Sequence, residues 1–225
     1  MADNKEIMRA YDIRGLVGTH IDNDTVFSLG LGFSKLVHAR EDLHSPIIVG
    51  RDARSSSEEF AKQFISGLTL GGIDVIDIGL CTSPMTYFAL HHLHAGGCVM
   101  ITASHNPKEY NGIKLNNNKG LNLSPQHEAK LLYEYLSLDE EGQKSRYHDT
   151  QGKVTHENVL EPYLDFLSSK LTLHTPLRIV VDSANSVSAI PFVPLATRNQ
   201  HLSVCELYTD TVSYTHLRAH ETDRH

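Results

Sequence analysis

The sequence predicts an α/β fold built on a parallel or mixed sheet, and three observations predict it. Short apolar runs ending in glycine alternate with stretches of helical period. Over residues 47–102 the order strand, helix, strand, helix, strand has the spacing of βαβ units. The 225 residues are 40% hydrophobic and 21% charged, which suits one large domain or two small ones and excludes a disordered or collagen-like chain.

Each element has a local reason. An N-terminal helix is expected over 25–39, with Asn23 or Asp24 as N-cap. Residues 47–50 form a buried-type strand ending in Gly50. Ser56 and Glu59 read as a capping box. Phe60, Phe64, Ile65 and Leu68 then give a helical period over 58–70, which Gly71-Gly72 stops. Residues 73–78 alternate as a strand ended by Gly79. Pro84 opens a helix to about His94, Gly96-Gly97 ends it, and 98–102 is a third strand. Ser124-Pro125 starts a helix that runs to about Leu136. Residues 139–153 are polar and read as a linker or surface hairpin, with Asp139-Glu140-Glu141 as a solvated acidic turn. A helix over 159–171, a strand over 177–181, a helix and a strand over 202–208 resemble the opening of a second α/β domain.

Composition narrows the function. No run approaches 18 apolar residues, so no membrane span is expected. The polar start, Met1 to Glu6, lacks the pattern of a secretory signal, and a cytoplasmic location is expected. Cys81, Cys98 and Cys205 have no metal-ligand spacing and fit a reducing compartment. A formal charge of −7 argues against nucleic acid as a partner, and any anionic substrate must be met by local cations. Gly30-Leu31-Gly32 lies within a helical pattern and lacks the third glycine of a dinucleotide fingerprint. His91, His92 and His94 lack the i, i+4 spacing of helix metal ligands and read as solvated or packed. Arg51 and Arg54 read as structural, pairing with Asp52 or Glu58.

One segment carries chemistry: Thr102-Ala103-Ser104-His105-Asn106-Pro107, then Tyr110-Asn111-Gly112-Ile113-Lys114. It begins at the carboxyl end of a strand, where open α/β sheets bind ligands. A serine there, with loop N–H groups, His105, Asn106 and Lys114 around it, has the donors and cations that a phosphoryl group on its hydroxyl requires.

These residues resemble the active-site loop of the α-D-phosphohexomutases. Ala10-Tyr11-Asp12-Ile13-Arg14-Gly15 is similar to the N-terminal motif of the phosphomannomutase/phosphoglucomutase branch, and Gly50-Arg51-Asp52-Ala53-Arg54-Ser55-Ser56 to a strand-loop-helix motif of the first domain. The resemblance implies a mixed-sheet sandwich domain with helices on both faces over residues 1–150. It also implies the start of an incomplete second domain of similar type over 151–211.

It further implies a mutase that interconverts hexose 1- and 6-phosphates of mannose or glucose, with a hexose phosphate as its partner. Ser104 carries the phosphoryl group and a 1,6-bisphosphate is the bound intermediate. Mg²⁺ binds through the phosphoryl oxygen on Ser104. Arg14, His105 and Lys114 assist catalysis, and Tyr11, Arg14 and Asn106 bind phosphate. The resemblance also admits a phosphoglucosamine or other phosphosugar mutase, or a truncated product that binds phosphosugars without turnover.

Family chains are about twice this length. Their Asp-Gly-Asp-x-Asp-Arg metal loop, sugar-recognition loop and phosphate loop do not occur here, so the chain alone is expected to be inactive. Asp182-Ser183-Ala184-Asn185-Ser186 is similar to a family strand-end motif that has glycine where Ser186 stands, which leaves the local turn open. Residues 212–225 resemble one reading frame of a sequencing adapter and are expected to be a non-native tail. That expectation is checked by the genomic DNA downstream of Thr211.

Overall fold

The computed structural model describes residues 7–210. The tail expected over 212–225 lies outside the described residues. Fifteen elements follow one another: β1 (Ile13–Leu16), α1 (Asn23–Ala39), β2 (Ile47–Arg51), α2 (Ser57–Leu70), β3 (Val75–Leu80), α3 (Ser83–His92), β4 (Gly97–Ile101), β5 (Tyr110–Asn117), α4 (Pro125–Leu136), α5 (Glu140–Lys144), β6 (Val154–His156), α6 (Leu160–Lys170), β7 (Leu177–Asp182), α7 (Ala189–Thr197) and β8 (Leu202–Leu207).

Six strands form one mixed sheet in the order β1-β5-β4-β2-β3-β6. β4, β2, β3 and β6 are parallel, while β5 runs antiparallel to both β4 and β1. The two central parallel strands, β2 and β4, are buried on both faces, which is why their sequences are continuous apolar runs rather than alternating ones. In β2, Ile47 and Val49 pack with Leu29, Phe33, Phe60 and Phe64 of α1 and α2. Ile48 points the other way, to Met85 and Leu90 of α3 and Tyr163 of α6. β4 repeats the division, with Val99 and Ile101 on the first face and Cys98 and Met100 on the second. The expected mixed sheet with helices on both faces is therefore present.

Several boundaries differ from expectation, each for a local reason. α1 is capped by Asp22, whose Oδ1 accepts from the Thr25 amide at 2.9 Å, not by Asn23 or Asp24. Ser56 precedes α2 but makes no capping bond, so the capping box with Glu59 does not form; its hydroxyl accepts from Asn111 Nδ2 instead, at 2.8 Å. Gly79 does not end β3. It is left-handed (φ +65°) at a register shift between Val49 and Gly50, a bulge that lets the strand run on to Leu80. Gly97 likewise starts β4 rather than ending α3. Within 139–153, Asp139 accepts from the Gly142 amide at 2.8 Å and starts the short α5, so the acidic turn is a helix first turn.

β6 and α6 lie beyond residue 150, yet β6 joins the first sheet and α6 packs against α3. β6 pairs with β3, and Val159 and Tyr163 join the cluster under α3. β7 and β8 form a separate two-stranded parallel sheet.

Gly30 has a packing role. A Cβ on Gly30 would stand 2.3 Å from the Phe64 carbonyl oxygen, and one on Gly67 2.3 Å from that of Phe27. The backbones of α1 and α2 touch here, and only glycine allows it. Gly67→Ala is expected to cost about 2–3 kcal/mol by forcing the helices apart. Urea unfolding checks this, and an unchanged midpoint would refute the close crossing.

Candidate active site

The carboxyl ends of β2 and β4 place two loops side by side. Thr102 ends the buried run of β4, and its Oγ1 accepts from the Ser104 amide at 2.9 Å. Ser104 itself is left-handed, with φ +58°. A non-glycine residue held there stores strain, and such residues cluster at functional sites. The twist leaves the Ser104 side chain exposed, with Oγ 3.3 Å from His105 Nδ1.

The loop is held by Arg54, whose side chain is 3% exposed. Its Nε pairs with Asp52 at 3.2 Å. Nη1 donates to the carbonyls of Pro107 and Tyr110, at 2.7 and 2.9 Å. Nη2 donates to those of Ser104 and Asn106, at 2.9 and 2.7 Å. Five N–H donors thus meet five acceptors, four of them backbone carbonyls of the serine loop. Asp52 is anchored in turn by the Arg54 amide and by Ser57 Oγ. Buried Asn111 ties the far end of the loop to α2, donating to Ser56 Oγ and Ser57 Oγ, while its Oδ1 accepts from the Gly112 amide. Sequence reasoning expected the Arg54–Asp52 pair but not that the arginine's other donors hold the serine loop. The signal for that was weak: an arginine shortly after a strand looks the same whether it faces solvent or a neighbouring loop.

Arg14 reaches the loop from β1. Its Nη1 donates to Asn106 Oδ1 at 2.9 Å, and Nη2 pairs with Asp12. Its Nε is buried without a hydrogen-bond partner. The structure therefore brings Arg14, Asn106, His105 and Ser104 together. Tyr11 is 71% exposed and makes no side-chain hydrogen bond to them among the described residues. Lys114 sits on β5 in register with Met100, and its side chain makes no hydrogen bond or ion pair among the described residues. Arg51 pairs with Glu58 at 3.3 Å, as expected.

A cavity of about 230 Å³ opens beside the serine. Ser104, Thr82 and Arg54 line one side; Asn185, Ser186 and Ser188 line the other. The turn at 183–186 forms without glycine. Its left-handed residues are Ala184 (φ 47°) and Asn185 (φ 55°), so Ser186 does not need glycine's freedom. Cys81 and Cys98 are buried nearby, and burial pushes both thiols up to about 12, which keeps them protonated and unreactive.

Among the described residues no group of three His, Cys, Asp or Glu side chains is placed to hold an ion. The two carboxylates at the site, Asp12 and Asp52, are spent on Arg14 and Arg54. These residues do not fit a Mg²⁺ site by themselves.

Comparison with known proteins agrees with this arrangement. Residues 5–142 match the family model for phosphoglucomutase/phosphomannomutase, alpha/beta/alpha domain I. The chain belongs to the phosphoglucomutase/phosphomannomutase family. It is 32% identical over 190 residues to a phosphoglucomutase/phosphomannomutase of Thermococcus kodakarensis, covering 82% of this chain and 41% of that one. It is 35% identical over 183 residues to a phosphoglucomutase of Neisseria gonorrhoeae, covering 81% and 38%. The crystal structure of a phosphoglucomutase/phosphomannomutase family protein from Burkholderia thailandensis superposes with a TM-score of 0.79 at 29% identity, covering 95% of this chain and 46% of that one. The chain thus spans about two fifths of the length of these curated relatives. Among the described residues no helix is long and apolar enough to cross a membrane.

Proposed function

We propose that this domain serves a phosphosugar mutase that interconverts hexose 1-phosphate and hexose 6-phosphate, of mannose or glucose, through a phosphoryl group on Ser104. The observation that carries the proposal is the backbone at Ser104: left-handed, exposed, and fixed through its own carbonyl by Arg54. A phosphoryl carrier needs this kind of rigid placement, because phosphoryl transfer is catalysed mostly by positioning and charge stabilisation.

In the proposed cycle the bond between phosphorus and Ser104 Oγ breaks as the bond to a sugar hydroxyl forms. The hydroxyl proton leaves to a base, and Oγ is left as the free hydroxyl or its anion. The resulting 1,6-bisphosphate then gives its other phosphate back to Oγ. His105 Nδ1, 3.3 Å from Oγ, is placed to exchange a proton with it. Asn106 accepts from Arg14 through Oδ1, which leaves its amide N–H groups to donate to phosphoryl oxygens. The Lys114 ammonium, without a hydrogen bond or ion pair among the described residues, supplies positive charge. Mg²⁺ is proposed to bind the Ser104 phosphoryl oxygen, with its carboxylate ligands supplied outside the described residues.

The test is direct. A protein that carries this domain and shows mutase activity should, after incubation with a hexose 1,6-bisphosphate, hold one phosphoryl group on the peptide containing Ser104. Turnover with that peptide unmodified would refute the proposal.

A further inference from the structure

Ser104 is held on both sides of its Cα. A peptide unit is planar, so fixing the two units that flank a residue fixes its φ and ψ, and with them the direction in which its side chain leaves the backbone. Arg54 Nη2 fixes the unit after Ser104, by donating to the Ser104 carbonyl at 2.9 Å. The unit before it carries the Ser104 amide, which donates to Thr102 Oγ1 at 2.9 Å. The Ala103 carbonyl of that same unit accepts from the Asn106 amide at 3.1 Å, a bond that closes the turn on itself without tying it to the sheet.

Thr102 makes that tie. Its own amide donates to the Gly112 carbonyl of β5 at 2.9 Å, and the residue is 6% exposed. Its branched Cβ leaves Oγ1 few rotamers. The hydroxyl is therefore placed by β4 and β5, two residues before the serine. Threonine and serine hydroxyls that bond the backbone two residues on build turns of this kind. This turn needs such an anchor. Ser104 has φ +58°, and the strain of a left-handed serine is of the same size as the net gain from one hydrogen bond. Losing the Thr102 bond lets the serine relax toward negative φ, which turns Oγ away from where the loop now presents it.

We infer that Thr102 is a positioning residue for phosphoryl transfer: its hydroxyl holds the Ser104 amide and so aims Oγ. The inference rests on the reading of Ser104 as the phosphoryl carrier. In this role Thr102 touches neither phosphate nor sugar and acts through Ser104.

Variants of an active mutase that carries this domain test it. Thr102→Val keeps the shape and the branched Cβ but has no acceptor. Its kcat should fall on the order of 10²-fold, the effect of misplacing a reacting atom by about 1 Å. KM for the hexose phosphate should stay within about threefold, because no contact to the sugar is removed. Thr102→Ser keeps the acceptor on a freer side chain and should stay within about fivefold of the parent. Thr102→Ala should match valine, and gives the same comparison if valine disturbs the fold. A second readout does not depend on turnover. In the 225-residue chain, solvent exchange of the Ser104 amide, followed by NMR, should quicken about tenfold with valine or alanine and little with serine, tenfold being about one net hydrogen bond. Exchange at Val99 to Ile101 in β4 should not move, which separates a freed turn from a loosened sheet. Equal kcat for valine, alanine and threonine would overturn the role of Thr102. So would a Ser104 amide that exchanges no faster in either variant, or a serine variant as slow as valine. The reading beneath it fails on a different result: parental turnover with no phosphate on Ser104.

Discussion

Replacing Arg54 with alanine is expected to destabilise the domain by about 3–5 kcal/mol, the usual cost of removing one partner of a buried ion pair. Two losses combine. Asp52 would keep Ser57 Oγ and one backbone amide but lose its cation, in a site where water is scarce. The carbonyls of Ser104, Asn106, Pro107 and Tyr110 would lose their side-chain donor together. Some of these carbonyls can turn to solvent, which keeps the effect from being the sum of four unmade bonds. Arg54→Lys should fall between alanine and the parent. Its ammonium can still neutralise Asp52, but a point charge cannot span four carbonyls as a planar fork does. Denaturant midpoints measure both variants, and amide hydrogen exchange over residues 103–110 should accelerate in each. An alanine variant within about 0.5 kcal/mol of the parent would show that the clamp has no energetic weight, since that is the range of ordinary surface substitutions.

That clamp also shows what the sequence could and could not reveal. The doubly buried strands were legible because Ile47-Ile48-Val49 and Cys98 to Ile101 are apolar without interruption, and α2 was legible from Phe60, Phe64, Ile65 and Leu68. β5 was missed as a strand. Tyr110-Asn111-Gly112-Ile113-Lys114-Leu115-Asn116-Asn117 carries asparagines that favour turns in isolation. Here they are buried, and their side chains bond across the fold: Asn111 to Ser56 and Ser57, Asn117 to Asp42. Such partners lie 54 to 75 residues away along the chain, beyond the reach of any local pattern. Asp22 was hidden for a different reason: its bond to Thr25 is local, but Asp22, Asn23 and Asp24 are all good capping residues and the sequence does not choose among them; Gly79 as a bulge depends on the register of β3 against β2. The residues around Ser104 were found because a local motif contains three of them. Arg54 was read only as a partner for Asp52, because the carbonyls it holds have no signature in sequence.

Ser104→Ala, made in a protein that carries this domain and is active, is expected to lower turnover on the order of 10⁴-fold or more, as the loss of a covalent nucleophile does elsewhere. The magnitude follows from the role. Without Oγ this loop has no atom to carry a phosphoryl group between the two ends of the sugar. Cys81 and Cys98 are buried and protonated, and His105 would have to leave its place beside the loop. Stability should barely change, since the hydroxyl is exposed and bonded only to His105 at 3.3 Å, while the bonds through the Ser104 amide and carbonyl remain. Ser104→Gly separates chemistry from backbone strain. Glycine accepts φ +58° without the Cβ conflict, so this variant should be folded within about 1 kcal/mol of the parent and still inactive. If alanine were inactive and unfolded, the loss would be structural and the glycine variant would decide the matter. If either variant turned over at near the parental rate, the phosphoryl group would have to travel by another residue. The left-handed serine would then be a loop constraint rather than the carrier.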